Sequence, residues 1–251
     1  MSHQPRTLPE RLVPSQLGRA FRWLVASSWT SNVGDGIALA AGPLLVASQT
    51  DSAFLVALAV LLQRLPWLAF GLWAGALADR LDRRRVVVLA DGSRVVVVAV
   101  LCLIIATSAV NIGIVLTAML LLGVGEVFAD TTTQTLMPML VHHDDLGTGN
   151  HRLQAGYLVG NQLIGPPIGA FLFAVGMAWP FAIQVACLGL AVVLVSRIAS
   201  VPPAIGAPGI PEPTSFPESA ARSTAEHTHV RRDISEGLRW AWRHGAVRTL
   251  A

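Results

Sequence analysis

The chain has 251 residues, of which 53% are hydrophobic and only 13% charged, with a net charge of +3 and a mean hydropathy of +0.58. Soluble domains carry about 25% charged residues, so composition excludes an ordinary soluble globule. All 18 basic residues are Arg. They gather in turns and tails, where they read as orientation signals and not as phosphate ligands, so no nucleic-acid partner is expected.

Residues 1–20 form a polar N-terminal tail with Arg6, Arg11 and Arg19 and no small-residue cleavage site, unlike a secretory signal peptide. Six apolar runs follow: Phe21–Ala47, Phe54–Ala78, Val86–Ala106, Ile112–Thr133, Gly156–Val175 and Pro180–Ile198. Each is long enough to cross a bilayer, which takes about 20 mainly apolar residues. The expected fold is therefore an all-α membrane protein, a six-span bundle over residues 21–198. Turns 48–52, 107–111 and 176–179 lack Arg, whereas the N-terminus, 79–85, 141–152 and the chain after Arg197 hold it. The positive-inside rule then puts both termini in the cytoplasm of a cell-membrane protein. Cys102 and Cys187 fall inside apolar runs, so neither a disulfide framework nor a zinc site is expected.

Small-residue pairs at Gly71/Gly75, Gly156/Gly160 and Gly165/Gly169 predict close helix contacts. In the fifth span, Gly165, Pro166, Pro167 and Gly169 predict a kink, because two prolines remove backbone donors. Comparing spans 1–3 with spans 4–6 shows no clear sequence repeat. After the bundle, residues 199–232 read as a Pro-rich cytoplasmic linker. Residues 233–251 read as a basic amphipathic surface helix, opened by Asp233-x-x-Glu236 and carrying Ile234, Leu238 and Trp242 on one face.

A charge at mid-membrane costs about 2.5–3.5 kcal/mol on insertion scales, so it faces a cavity or a partner. Asp35 and Arg64 both sit about 21–23 Å from the cytoplasmic helix ends, from the helical rise. A tight turn joins their spans, so they are expected to meet, with Asn32 on the same face as Asp35. Two readings stay open: coupling of a proton or substrate cation, or a structural ion pair. Asp91 and Arg94 share a face of span 3, and Glu126 and Asp130 share a face of span 4; together with the 79–85 turn they predict a charge network. His142-His143-Asp144-Asp145 has metal-ligand residue types but lies in a polar turn and reads as a solvated loop. No metal site, cofactor or enzymatic motif emerges.

The turn Gly75-Ala76-Leu77-Ala78-Asp79-Arg80-Leu81-Asp82-Arg83-Arg84 resembles the signature that follows the second span in the major facilitator superfamily, Gly-x-Leu-Ala-Asp-Arg-x-Gly-Arg-Arg. Asp82 replaces the second Gly, as in the exporter branch similar to the enterobactin exporter and the transmembrane secretion effectors. Gly34-Asp35, Pro43-Leu44-Leu45, Asp91-x-x-Arg94, Leu136-Met137-Pro138 and Gly149-Asn150 also look like that branch. Gly165-Pro166-Pro167-Ile168-Gly169-Ala170 resembles an antiporter motif whose last Gly is Ala170 here, with Asn161 where a Gly is expected. The resemblance implies the N-terminal half of a secondary transporter, with Gly75, Asp79, Arg80, Arg83 and Arg84 as a gating motif. It further implies proton-coupled efflux of small molecules, with lipid, substrate, protons and a second six-span half as partners. The rival reading is a non-transporting half-bundle, either a truncated fragment or a partner subunit.

Overall fold

The computed structural model describes residues 18–107 and 109–198, and for residues 72 and 76–80 the backbone only. The expected linker, the amphipathic helix after it and most of the N-terminal tail lie outside the described residues. So do the side chains of Asp79 and Arg80.

Long helices dominate: α1 (Arg19–Ala47), α2 (Ala53–Arg80), α3 (Arg83–Ala106) and α4 (Ile112–Leu136), followed by α5 (Leu146–Gly156), α6 (Gly165–Val175) and α7 (Trp179–Ser196). The starts are written in the sequence. The Asp82 carboxylate accepts from the backbone N–H of Arg84 at 3.1 Å and of Arg85 at 3.4 Å, capping α3. Asn111 accepts from Gly113 N–H at 2.8 Å and caps α4.

Between α5 and α6 the chain runs without a break through a π-helical stretch, Tyr157–Ile164. Pro166 and Pro167 then occupy the first turn of α6, where a missing N–H costs least. The widened turn lies before the prolines of the expected kink motif. The fifth span is also longer than the sequence suggested, because polar α5 extends it back to Leu146.

Five segments are long and apolar enough to cross a membrane: Ala53–Gly71, Arg83–Ala106, Ile112–Met139, His143–Val175 and Trp179–Ser196. α1 is long enough but more polar. Its Ser27, Ser31, Asn32 and Asp35 are nevertheless buried, so the residues that weaken its hydropathy point into the bundle and not into lipid.

Helix pairing reveals an internal repeat that the sequence comparison missed. α1 packs on α7 as α4 packs on α3, α1 packs on the fifth span as α4 packs on α2, and α3 and α7 pack on each other. Exchanging α1–α3 with α4–α7 leaves this pattern unchanged. Short turns join successive long helices, so α1 and α4 run in opposite directions, and the repeat is an inverted one.

Two of the predicted small-residue pairs behave as expected. A Cβ on Gly165 or Gly169 would collide with the backbone of α1 at Gly36 and Ile37, one on Gly160 would make tight contacts with Asn32 and Val33 at 3.1–3.3 Å, and one on Gly36 would collide with Gly160 and Asn161. Gly156 packs against the ring of Trp29, whose indole N–H donates to the Arg152 carbonyl at 2.9 Å. The third pair is a correction. Gly71 and Gly75 have nothing within 4 Å of the Cβ position, so within this chain they pack against nothing described.

Candidate functional site: a charged cluster inside the bundle

Arg94 of α3 is the centre of the cluster and is 1% exposed. One guanidinium nitrogen donates to Asp91 Oδ1 at 2.8 Å, and another donates to Asp35 Oδ1. Ser31 Oγ donates to Asp35 Oδ2 at 3.3 Å, and Gln184 of α7 also hydrogen-bonds Asp35. Gly125 of α4 makes room for the arginine, since a Cβ there would overlap the Arg94 side-chain stem. Two carboxylates thus share one guanidinium whose access to water is nearly nil. Such a pairing holds only with good geometry, because desolvation opposes it.

This corrects the expected Asp35–Arg64 pair. Asp35 is bonded to Arg94, and Arg64 makes no ion pair among the described residues. The tight turn between spans 1 and 2 was misleading: α1 packs chiefly on α7 and the fifth span. Arg94 reaches Asp35 because its side chain is long enough to cross the centre of the bundle.

Arg64 instead lines two neighbouring cavities. The larger, about 560 Å³, is bounded by Asn32, Arg64, Trp67, Asp130, Gln134 and Tyr157 among others. It lies toward the end of the bundle where α1 begins and α2 and α4 end. The smaller, about 30 Å³, is bounded by Asp35, Gln63, Arg64, Arg94, Glu126, Asn161 and Gln184. That is room enough for a water molecule.

Glu126 and Asp130 are half-buried on α4. Glu126 takes a hydrogen bond from Asn161. Neither acid has an ion-pair partner within 4.0 Å among the described residues, so of the expected charge network only Asp91 and Arg94 pair directly. The part that joins the network to Asp79 and Arg80 falls on side chains outside the described residues.

The Arg residues of the turn act locally. Arg84 donates to the Ser196 carbonyl at the C-terminal end of α7, a favourable place for a cation. Arg83 reaches Met139 beyond α4, and Arg85 pairs with Asp82 at 3.3 Å. His142 and Asp144 approach to 3.4 Å in a turn where their side chains are 79% and 86% exposed, a solvated arrangement.

The sequence reading missed Gln63, Asn161 and Gln184, which share the small cavity with the charged groups. Their signal was available: each is an amide inside an otherwise apolar span, and Asn161 and Gln184 are buried.

Comparison with known proteins fits this arrangement. The family model for transmembrane secretion effectors matches residues 14–212. The chain belongs to that family of major facilitator proteins. It is also 30% identical over 240 residues to the multidrug efflux pump Tap of Mycolicibacterium fortuitum, covering 91% of this chain and 53% of the relative. The chain thus spans about half the length of the curated relative it matches. The family is one of transporters and not of enzymes.

Proposed function

We propose that the chain is the N-terminal half of a proton-coupled exporter of small, amphipathic molecules, working with a second six-span half. The observation that supports this best is the 560 Å³ cavity, which sets Arg64 and Asp130 beside the aromatic rings of Trp67 and Tyr157. A few convergent polar groups on an apolar and aromatic wall suit a substrate with both characters. Asn32 lines this cavity, and Arg64 lines both it and the small cavity bounded by Asp35 and Arg94.

Proton coupling is supported by charge balance. Four carboxylates (Asp35, Asp91, Glu126, Asp130) stand against two guanidinium groups (Arg64, Arg94) in the interior, which leaves a formal charge of −2. An excess of interior acid is a place for protons or cationic substrate to load. The protein resides in the cytoplasmic membrane with both termini inside, and the turn motif Gly75, Asp79, Arg80, Arg83 and Arg84 gates the two halves.

The test is efflux of a fluorescent cationic dye from vesicles with an imposed proton gradient. The transporter containing this chain is to be compared with its Asp130→Asn and Arg64→Gln variants. Loss of gradient-driven efflux in both, with normal insertion, supports the reading. Undiminished efflux in both removes this cavity from the transport path. The 251 residues expressed alone should insert without exporting dye, and export by the isolated chain would overturn the need for a second half.

A further inference from the structure

The inverted repeat places two tripeptides in equivalent positions, Val33-Gly34-Asp35 in α1 and Val124-Gly125-Glu126 in α4. Their glycines do equivalent work. A Cβ on Gly125 would overlap the stem of Arg94 in α3, and a Cβ on Gly34 would press on Cys187 in α7 at 2.9 Å, with the Gln184 side chain in ordinary contact at 3.6 Å. Since α1 packs on α7 as α4 packs on α3, Cys187 and Gln184 take the place beside Gly34 that Arg94 takes beside Gly125, just as Glu126 takes the place of Asp35. The scaffold is duplicated, and its one guanidinium is not.

Resting on the proton-coupled reading above, we propose that Glu126 is the residue that carries the exchanged proton, and that the Arg94/Gln184 difference assigns it that role. Asp35 is held by Arg94, Ser31 and Gln184 and is committed to the fold. Glu126 has an equivalent backbone setting without the equivalent cation. The groups facing it are Asp35 of α1, Arg64 of α2, Arg94 of α3, Asn161 of the fifth span and Gln184 of α7, with Asp130 one turn further along α4. Of the two cations, Arg94 is already shared by Asp35 and Asp91, and Arg64 stands in the wall between the two cavities. Gln184 supplies an independent sign. It is 1% exposed, and its Oε1 has no hydrogen-bond partner among the described residues. That acceptor opens on the same 30 Å³ space as Glu126, so a carboxyl O–H on Glu126, directly or through one water, has somewhere to donate. An ionised Glu126 offers Oε1 nothing.

The test needs no transport. A hydrophobic carbodiimide adds to membrane-embedded carboxyl groups that hold a proton, and peptide mapping by mass spectrometry locates the adduct. Applied to the purified 251-residue chain in detergent, it should mark Glu126 and leave Asp35 bare. Gln184→Arg, which installs the missing cation, should abolish the Glu126 adduct. Arg94→Gln, which makes the first half resemble the second, should bring an adduct onto Asp35. An adduct on Asp35 but not on Glu126 in the parent chain overturns the proposal, as does undiminished Glu126 labelling in a monodisperse Gln184→Arg protein. Glu126 labelling in a transporter that shows no gradient-driven efflux would instead sink the export reading and leave the assignment of Glu126 standing.

Discussion

The two halves of the bundle share a packing plan and differ in the chemistry placed on it. In the first half Asp35 ends in a buried ion pair with Arg94, supported by Ser31. In the second half Glu126 sits in the corresponding place and takes a hydrogen bond from Asn161, and the α7 residues beside Gly34, Cys187 and Gln184, supply no cation. Backbone approach is preserved on both sides by glycine: Gly36 against Gly160 and Asn161, Gly123 against Gln63 and Pro66. Close packing is therefore separable from charge. The fold needs small residues at the helix crossings, while the polar groups beside them are free to specialise.

An inverted repeat requires α1 and α4 to run oppositely, and this is the sharpest way to break the comparison. With Cys102 and Cys187 changed to Ser, a single cysteine at Thr50 should be labelled by a membrane-impermeant maleimide in intact cells. One at Arg85 should react only after lysis. The effect is all-or-none. Labelling of both from outside would place successive turns on one face and remove the repeat.

Next in size is Arg94. Arg94→Leu leaves Asp35 and Asp91 buried without their cation. Breaking a buried pair costs about 3–5 kcal/mol, so most of the variant should aggregate on extraction into detergent. The double variant Arg94→Leu with Asp35→Asn removes one of the stranded charges and should recover part of the monodisperse fraction. Equal recovery from Glu126→Gln in place of Asp35→Asn would mean that Arg94 serves both acids and that the halves differ less than their contacts indicate.

Much of this was legible in the sequence, for definable reasons. The span positions follow from runs of apolar residues, a local property. The close contacts at Gly165 and Gly169 follow from small residues at helical spacing. The partner of Asp35 is not local. Chain adjacency suggested Arg64, but helix adjacency is set by whole packing surfaces, and α2 and α3 barely touch although a two-residue turn joins them. The repeat was hidden because its common element is only Val-Gly followed by an acid. The rest of each helix is free to vary among apolar residues of similar volume. The start of the fifth span was missed because α5 is polar, with Leu146 and Leu153 too sparse to make an apolar run.

Glycine substitutions test whether packing is shared as described. Gly36→Val and Gly165→Val each push a side chain into backbone and should destabilise by about 1–3 kcal/mol, the usual range for overpacking. The same change at Gly71 or Gly75 should leave the thermal unfolding of the isolated chain unchanged, since no described atom lies within reach of the new Cβ. Loss of stability at Gly75 would reveal a contact made within this chain by the 79–85 turn.

The smallest expected effect is the most informative about the second half. Gln184 and Arg94 are equally buried and both hydrogen-bond Asp35, yet Gln184→Leu should change stability by less than about 1.5 kcal/mol. The hydrogen bond lost to the Asp35 carboxylate contributes about 1.5–3 kcal/mol net, and removing the unpaired Oε1 with its desolvation cost offsets part of that. Leucine has a similar volume and restores contacts with the apolar wall of α7. If thermal unfolding shows Gln184→Leu to be as damaging as Arg94→Leu, the amide carries a structural load comparable to the guanidinium. The second half would then be organised around its own polar anchor. A near-neutral result, with Arg94→Leu strongly destabilised beside it, leaves Gln184 free of the fold and available to the carboxyl group it faces.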